Sequence, residues 1–96
     1  NDAETLADAA KYSAMLGDSG SALELLGRAL ELAPEGVDIQ HTAAQVYLIL
    51  GQEDRALDVL EAAIADGYPV AEIRVNPFFD ELAGNPRFAA LVGEKG

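Results

Sequence analysis

Apolar residues fall along this chain in stripes spaced three and four apart, the period of helices that bury one face. Leu6, Ala9, Ala10 and Ser13 form the first stripe and predict a helix over about residues 3–16, capped by Asn1 or Asp2. Gly17-Asp18-Ser19-Gly20 breaks it. Ala22, Leu23, Leu26, Ala29 and Leu30 mark a second helix running to about residue 33, where Pro34-Glu35-Gly36 ends the hydrogen-bond ladder. A third helix, about 37–50, carries Ala43, Ala44, Tyr47 and Leu50 and stops at Gly51. A fourth, about 53–65, carries Ala56, Leu57, Leu60, Ala63 and Ile64 and closes at Asp66-Gly67-Tyr68-Pro69. Connections this short force consecutive helices to run antiparallel.

The stripes repeat. A shift of 34 positions brings Ala9 onto Ala43, Ala10 onto Ala44, Leu16 onto Leu50 and Gly17 onto Gly51. It also brings Ala22 onto Ala56, Leu23 onto Leu57, Leu26 onto Leu60 and Ala29 onto Ala63. A period of this size belongs to stacked supersecondary units rather than to one globular core. The expected architecture is all-α, with antiparallel helix-turn-helix repeats over 3–36 and 37–69 inside a single domain 1–96.

Residues 70–96 depart from the pattern. Asn76-Pro77 and Asn85-Pro86 each set a capping residue before a proline at the first helical position. They predict short helices over about 77–82 and 86–92. A further shift of the repeat sets Asn85 under Gly51, Ala90 under Ala56 and Leu91 under Leu57. The segment therefore reads as a degenerate third unit whose first helix is interrupted at Pro77. Phe78, Phe79, Leu82, Phe88 and Leu91 are expected to cover the apolar end of the stack.

These residues together resemble the tetratricopeptide repeat, a helix pair of 34 residues. The family pattern sets a small-residue pair and an aromatic in the first helix and a glycine at the turn. In the second helix come alanine, a large apolar residue and alanine, and then a proline. Those places hold Ala9-Ala10, Gly17, Ala22, Leu26, Ala29 and Pro34 in the first unit. In the second they hold Ala43-Ala44, Tyr47, Gly51, Ala56, Leu60, Ala63 and Pro69, the last displaced by one. Leu6 and Gln40 stand where Trp is usual, and Ser13 where Tyr is usual. Ile73 to Phe79 with Asn85-Pro86-Arg87-Phe88 looks like the closing segment that follows such repeats in multidomain bacterial proteins, among them kinases, nucleotide cyclases and transcription regulators.

The resemblance implies a short right-handed α-solenoid and a non-enzymatic protein–protein interaction scaffold. Its first helices would line a concave groove for a peptide or partner protein. The groove positions it implies are Ala7, Lys11 and Ala14 in the first unit, and His41, Gln45 and Leu48 in the second, with Arg74 at the rim. A subgroup that grips a peptide carboxylate uses paired Lys and Asn residues. Here only Lys11 and Gln45 fall near that scheme, and Ala7 stands where a Lys would, so the clamp is not carried over. The alternative is a structural or self-association module within a longer multidomain bacterial protein, using the face of the first helix pair that would meet an upstream repeat.

Composition narrows the rest. Half of the residues are apolar, yet much of that half is alanine, which suits closely packed helices better than a thick core. Seventeen acidic against six basic residues give a net charge of −11, which opposes both a phosphate backbone and an anionic membrane surface. Neither nucleic acid nor membrane is therefore expected as a partner, and a protein or peptide is the partner that the resemblance implies. There is no run of about 18 apolar residues and no basic-then-apolar leader, and a cytoplasmic setting is the default expectation. The chain lacks an initiating Met, as a processed piece of a longer chain would.

Candidate chemistry is sparse. Gly17-Asp18-Ser19-Gly20-Ser21 echoes the loop around a serine nucleophile, but a triad needs a base and an orienting carboxylate, and the one His lies in another helix. Those residues read as a turn with capping hydroxyls. With no Cys and one His, a nitrogen-rich or thiolate metal site is not expected, and a hydrolase has few routes to a nucleophile. Asp54, Asp58 and Glu61 share a helix face and read as solvated charge, since calcium asks for six to eight oxygens from a dedicated loop. No cofactor is expected.

Overall fold

Glycines and short polar turns punctuate the chain often enough that its long helices are only 13 or 14 residues each. The structure, a computed structural model, describes residues 2–93. Among these residues it holds no strand. The elements are α1 (Asp2–Met15), α2 (Ser19–Leu32), α3 (Val37–Ile49), α4 (Glu53–Ala65), α5 (Val70–Val75), a 3-10 helix (Pro77–Leu82) and α6 (Pro86–Leu91). The expected cap at Asn1 lies outside the described residues. α1 packs along α2 and α3 along α4, while α1 also packs on α3. The molecule is all-α and repetitive, as its stripes imply.

The two repeats close their first helices in the same way. Gly17 and Gly51, at φ of 85° and 77°, occupy the left-handed region where a Cβ is strained. In the first turn the N–H of Gly17 donates to Ala14 O at 3.0 Å and that of Asp18 to Ser13 O at 2.9 Å. In the second, Gly51 donates to Leu48 O at 3.1 Å and Gln52 to Tyr47 O at 2.8 Å. These paired bonds satisfy carbonyls that the helix end would otherwise leave open. α2 is then capped by Asp18, whose carboxylate accepts the Ser21 N–H at 3.1 Å. The turn carries its cap on a carboxylate rather than on the serine hydroxyls.

Alanine sets the spacing between helices. Ala10, Ala22, Ala29, Ala43, Ala44, Ala56 and Ala63 have no exposed surface at all. A helix face without bulk lets its neighbour's backbone approach toward the short end of the usual 8–10 Å range. The buried stripe of α1 is Ala3, Ala7, Ala10 and Ala14, whereas Leu6, Ala9 and Ser13 flank it half-buried. The expected inner face was therefore rotated, because α1 is gripped by two neighbours rather than one.

Large side chains fill what the alanines leave, in three clusters strung along the stack. Leu26 and Val46 join the alanines between the two hairpins, and Ile39 joins Ala3, Ala7 and Ala29 at the N-terminal end. The C-terminal cluster is the largest, gathering Leu48, Leu57, Leu60, Ile73, Phe79, Leu82, Phe88 and Val92. Tyr47 and Val59 touch both it and the middle cluster, and Leu30 links the middle to the N-terminal one. Gln40 adds a buried polar stitch: its Nε2 donates to Pro34 O at 3.0 Å and to Asp66 Oδ2 at 2.9 Å. It ties the turn after α2 to the turn after α4.

The closing segment keeps half of the repeat register and loses the other half. Ile73 and Leu82 lie one period beyond Ile39 and Leu48, and all four are buried. α5, which the sequence pattern left out, supplies Ile73 before Asn76-Pro77 turns the chain. α6 does not repeat α4: Ala90 is exposed and Leu91 half-buried, and Phe88 and Val92 face the core instead. A helix led by phenylalanine stands farther off than one floored by alanine, so it docks on another face. Asn76 and Asn85 cap as expected, accepting the N–H groups of Phe78 and Arg87, each at 2.9 Å.

Two substitutions separate the contributions of turn and packing. A Cβ at Gly51 meets nothing within 4 Å, so Gly51→Ala should cost only backbone strain, about 1 kcal/mol. Ala44→Leu forces a branched side chain between helices and should cost about 1–3 kcal/mol or more. Thermal unfolding followed by circular dichroism should show Tm falling by roughly 4–8 °C for each kcal/mol, with Ala44→Leu the worse of the two.

Candidate binding face

α1 and α3 lie side by side and carry six of the groove positions that the resemblance implies, while Arg74 lies on α5. They fare differently. Ala7 and Ala14 are 1% and 4% exposed, packed in the N-terminal and middle clusters. Leu48 is in the C-terminal cluster beneath the closing segment, and Gln45 is buried as well. These four belong to the interior and present no contact surface, because the close α1–α3 approach and the closing segment cover them. Arg74 turns from the face: its Nε donates to Val92 O at 2.7 Å, and its Nη2 reaches the same carbonyl. It fastens α5 to the end of α6.

Lys11 and His41 remain on the face, half-buried, and both meet aromatic rings from further along the chain. The Lys11 ammonium stands 5.2 Å from the centroid of the Phe78 ring, a cation–π contact within the ≈6 Å limit. The His41 ring stacks on Tyr68 at 4.6 Å with 10° between planes. It also meets Phe79 edge-on at 5.3 Å. Its Nε2 is 3.4 Å from Asn76 Nδ2, so a donating Asn76 amide requires the neutral imidazole with its proton on Nδ1. Asn76 thus caps the 3-10 helix with one end of its amide and reaches His41 with the other.

The electrostatics agree with a neutral ring. Burial lowers the His41 pKa below its ordinary 6.5, and Lys11 lowers it further, while Asp38 and Glu72 pull it back. Burial likewise raises the Tyr68 hydroxyl above 10.0, assisted by Glu72 and Asp38. Next to these rings, the N-terminal halves of α1 and α3 part to leave a cleft of about 230 Å³ lined by Glu4, Asp8, Asp38, Ile39 and Thr42. The repeat pattern alone does not single out these acids. Their signal was the four-residue interval from Glu4 to Asp8 and from Asp38 to Thr42, which sets each pair on one helix face.

The remaining candidate chemistry resolves into structure. Asp58 accepts from Arg87 Nη2 at 2.6 Å, with Glu61 at 3.8 Å, so the acidic row of α4 meets α6 through an exposed, solvent-screened ion pair. Phe79 and Phe88 are lid residues over the C-terminal cluster, with Phe78 packed against it. Among the described residues no group of three or more His, Cys, Asp or Glu is placed to hold a metal, and no helix is long and apolar enough to cross a membrane.

Two helix pairs in 34-residue register, closed by matching glycine turns and floored by alanine, define a helical-repeat protein. The family model of the tetratricopeptide repeat matches residues 14–74, well over half of the chain. The chain belongs to the tetratricopeptide-repeat family. No curated protein and no solved structure matches it. Repeats of this family form non-catalytic scaffolds and generally mediate protein–protein interaction.

His41 gives the face a pH dependence whose sign is fixed by its lowered pKa. A base that is harder to protonate when folded contributes stability above its unfolded pKa of 6.5, and that contribution is lost as pH falls through the folded value. Urea unfolding should show wild-type stability declining from about pH 6.5 downward. His41→Gln should flatten this slope above the carboxylate range.

Proposed function

We propose that this chain is a non-enzymatic scaffold that holds a segment of a partner protein against the α1–α3 face. The observation that carries the reading is the pairing of Lys11 with Phe78 and of His41 with Tyr68 and Phe79. A face that accepts aromatic rings from its own chain has the chemistry to accept them from another, through cation–π and stacking contacts. Side chains buried at Ala7, Ala14 and Leu48 give that face a firm floor, and Lys11 and His41 rise from it.

The adjoining cleft narrows the class of partner. Glu4, Asp8 and Asp38 around a small opening favour a Lys or Arg side chain, and the net charge of −11 draws a basic segment in from a distance. The partner segment is therefore basic, with an aromatic residue close to the basic one. It shares the face with the closing segment rather than replacing it, since Phe79 and Leu82 are buried in the core.

Selection of random peptides displayed on phage against the immobilised chain tests this reading. The expected yield is sequences pairing Lys or Arg with Phe, Tyr or Trp, whose amide-shift footprint centres on α1 and α3. Asp8→Asn with Asp38→Asn should weaken such peptides at least about 10-fold, or 1.4 kcal/mol, and the loss should shrink as salt rises. A footprint confined to α2 and α4 refutes the assignment.

A further inference from the structure

One acceptor oxygen is claimed by two parts of the fold around His41, the chain's single histidine. Asn76 Oδ1 accepts the Phe78 N–H at 2.9 Å and so caps the 3-10 helix. That bond fixes which end of the amide faces the ring: it is Nδ2, 3.4 Å from His41 Nε2. Nδ2 donates and cannot accept, so the contact holds only while Nε2 is without a proton. An imidazolium carries an N–H at both nitrogens. Once His41 is protonated, donor faces donor, and the acceptor on that amide is the oxygen already committed to the cap.

Ring and amide do not yield equally. The imidazole is stacked on Tyr68 and met edge-on by Phe79, which is buried in the core. A cation is attracted to an aromatic face, so charging the ring does not undo the Tyr68 stack. The Asn76 amide turns about χ2, a torsion with a broad profile. Turned half a circle, it gives Oδ1 to the imidazolium and leaves Nδ2 facing the Phe78 N–H. The charged groups around the ring set where this happens. Lys11 from α1 opposes a second positive charge, while Asp38 on α3 and Glu72 on α5 favour it. Tyr68 stays neutral, its hydroxyl being held above 10.0. Burial and then Lys11 keep the folded His41 below 6.5, so the change falls between that value and the carboxylate range near about pH 4.

We propose that His41 and Asn76 form an acid-sensitive latch: protonation of Nε2 draws Asn76 Oδ1 away from the Phe78 N–H, uncaps the 3-10 helix and frees Phe78 from Lys11. The helix is six residues long, and 3-10 hydrogen bonds are poor enough that so short a piece depends on its cap. Phe79 and Leu82 are anchored at 2% and 0% exposure, so the loosening is confined to the first turn. Phe78 sits in that turn, half-buried, with the Lys11 ammonium over its ring. The proton on His41 also sets a second positive charge near Lys11, which weakens the same contact from the other side. In acid the α1–α3 face thus loses the ring that engages Lys11, whether or not a partner is present. The latch is therefore independent of the binding reading, and either can fail without the other.

A nuclear magnetic resonance titration of the whole chain, from about pH 8 to about pH 5, tests the latch. The imidazole nitrogen shifts should show the Nδ1–H tautomer at the upper end. As His41 titrates, the hydrogen-exchange protection factor of the Phe78 amide should fall at least about 5-fold, the effect of losing one side-chain cap, with the midpoint of the imidazole itself. The Lys11 side-chain protons should lose the ring-current shift of Phe78 at that midpoint, while the Leu57 and Leu60 amides keep their protection. His41→Gln should hold the Phe78 protection level throughout. Asn76→Asp offers two acceptor oxygens, one for the cap and one for the ring, so it should keep the cap in acid and raise the His41 pKa above that of the wild type. An Nε2–H tautomer at neutral pH overturns the proposal, as does Phe78 protection unmoved by the imidazole titration. A loss that persists in His41→Gln, or that Asn76→Asp does not prevent, does the same. Should either variant fail to fold, the wild-type titration alone decides.

Discussion

Small side chains at the helix contacts are the constraint on which the rest of this protein depends. A backbone can approach another only where nothing larger than a methyl group intervenes, and seven alanines without exposed surface mark those places. Helices of 13 or 14 residues are marginal alone, so each must be held by a neighbour on two sides. Close approach brings the leucines, Val46 and Ile39 into clusters that run on from one hairpin to the next. Burial then supplies roughly 1.5–3 kcal/mol for each large side chain. The glycine turns matter for the same reason, because Gly17 and Gly51 aim each following helix back along the alanine floor.

Much of this was legible in the chain itself. Ala22 and Ala56 repeat at one interval and are both fully buried, and Asn76 and Asn85 announce their caps through the prolines that follow. The rotation of the α1 stripe was not legible, since periodicity reports a face but not how many neighbours share it. Nor was the shift at α6, where Phe88 rather than Ala90 faces inward. A register copied from sequence assumes that equivalent positions meet equivalent partners, and the last helix has none beyond it.

The candidate face shows the same division. Lys11 and His41 were identifiable by their place in the repeat, and the structure gives them aromatic company that no local pattern announced. The partners come from residues 68–79, far along the chain: Tyr68 from the turn after α4, and Phe78 and Phe79 from just beyond Asn76-Pro77. Ala7, Ala14, Gln45 and Leu48 hold the expected places in the helices, yet burial removes them from the surface. Position in a repeat says which way a side chain points, and packing decides whether anything can touch it.

The three clusters differ in substance, and this grades the stiffness of the molecule along its length. The C-terminal one is built of phenylalanine, leucine and isoleucine, while the N-terminal one rests on three alanines and Ile39. In a linear array each unit is held mainly by its nearest neighbours, so local opening begins where the holding is thinnest. The first hairpin is thus held through close backbone approach, and the far end through side-chain volume.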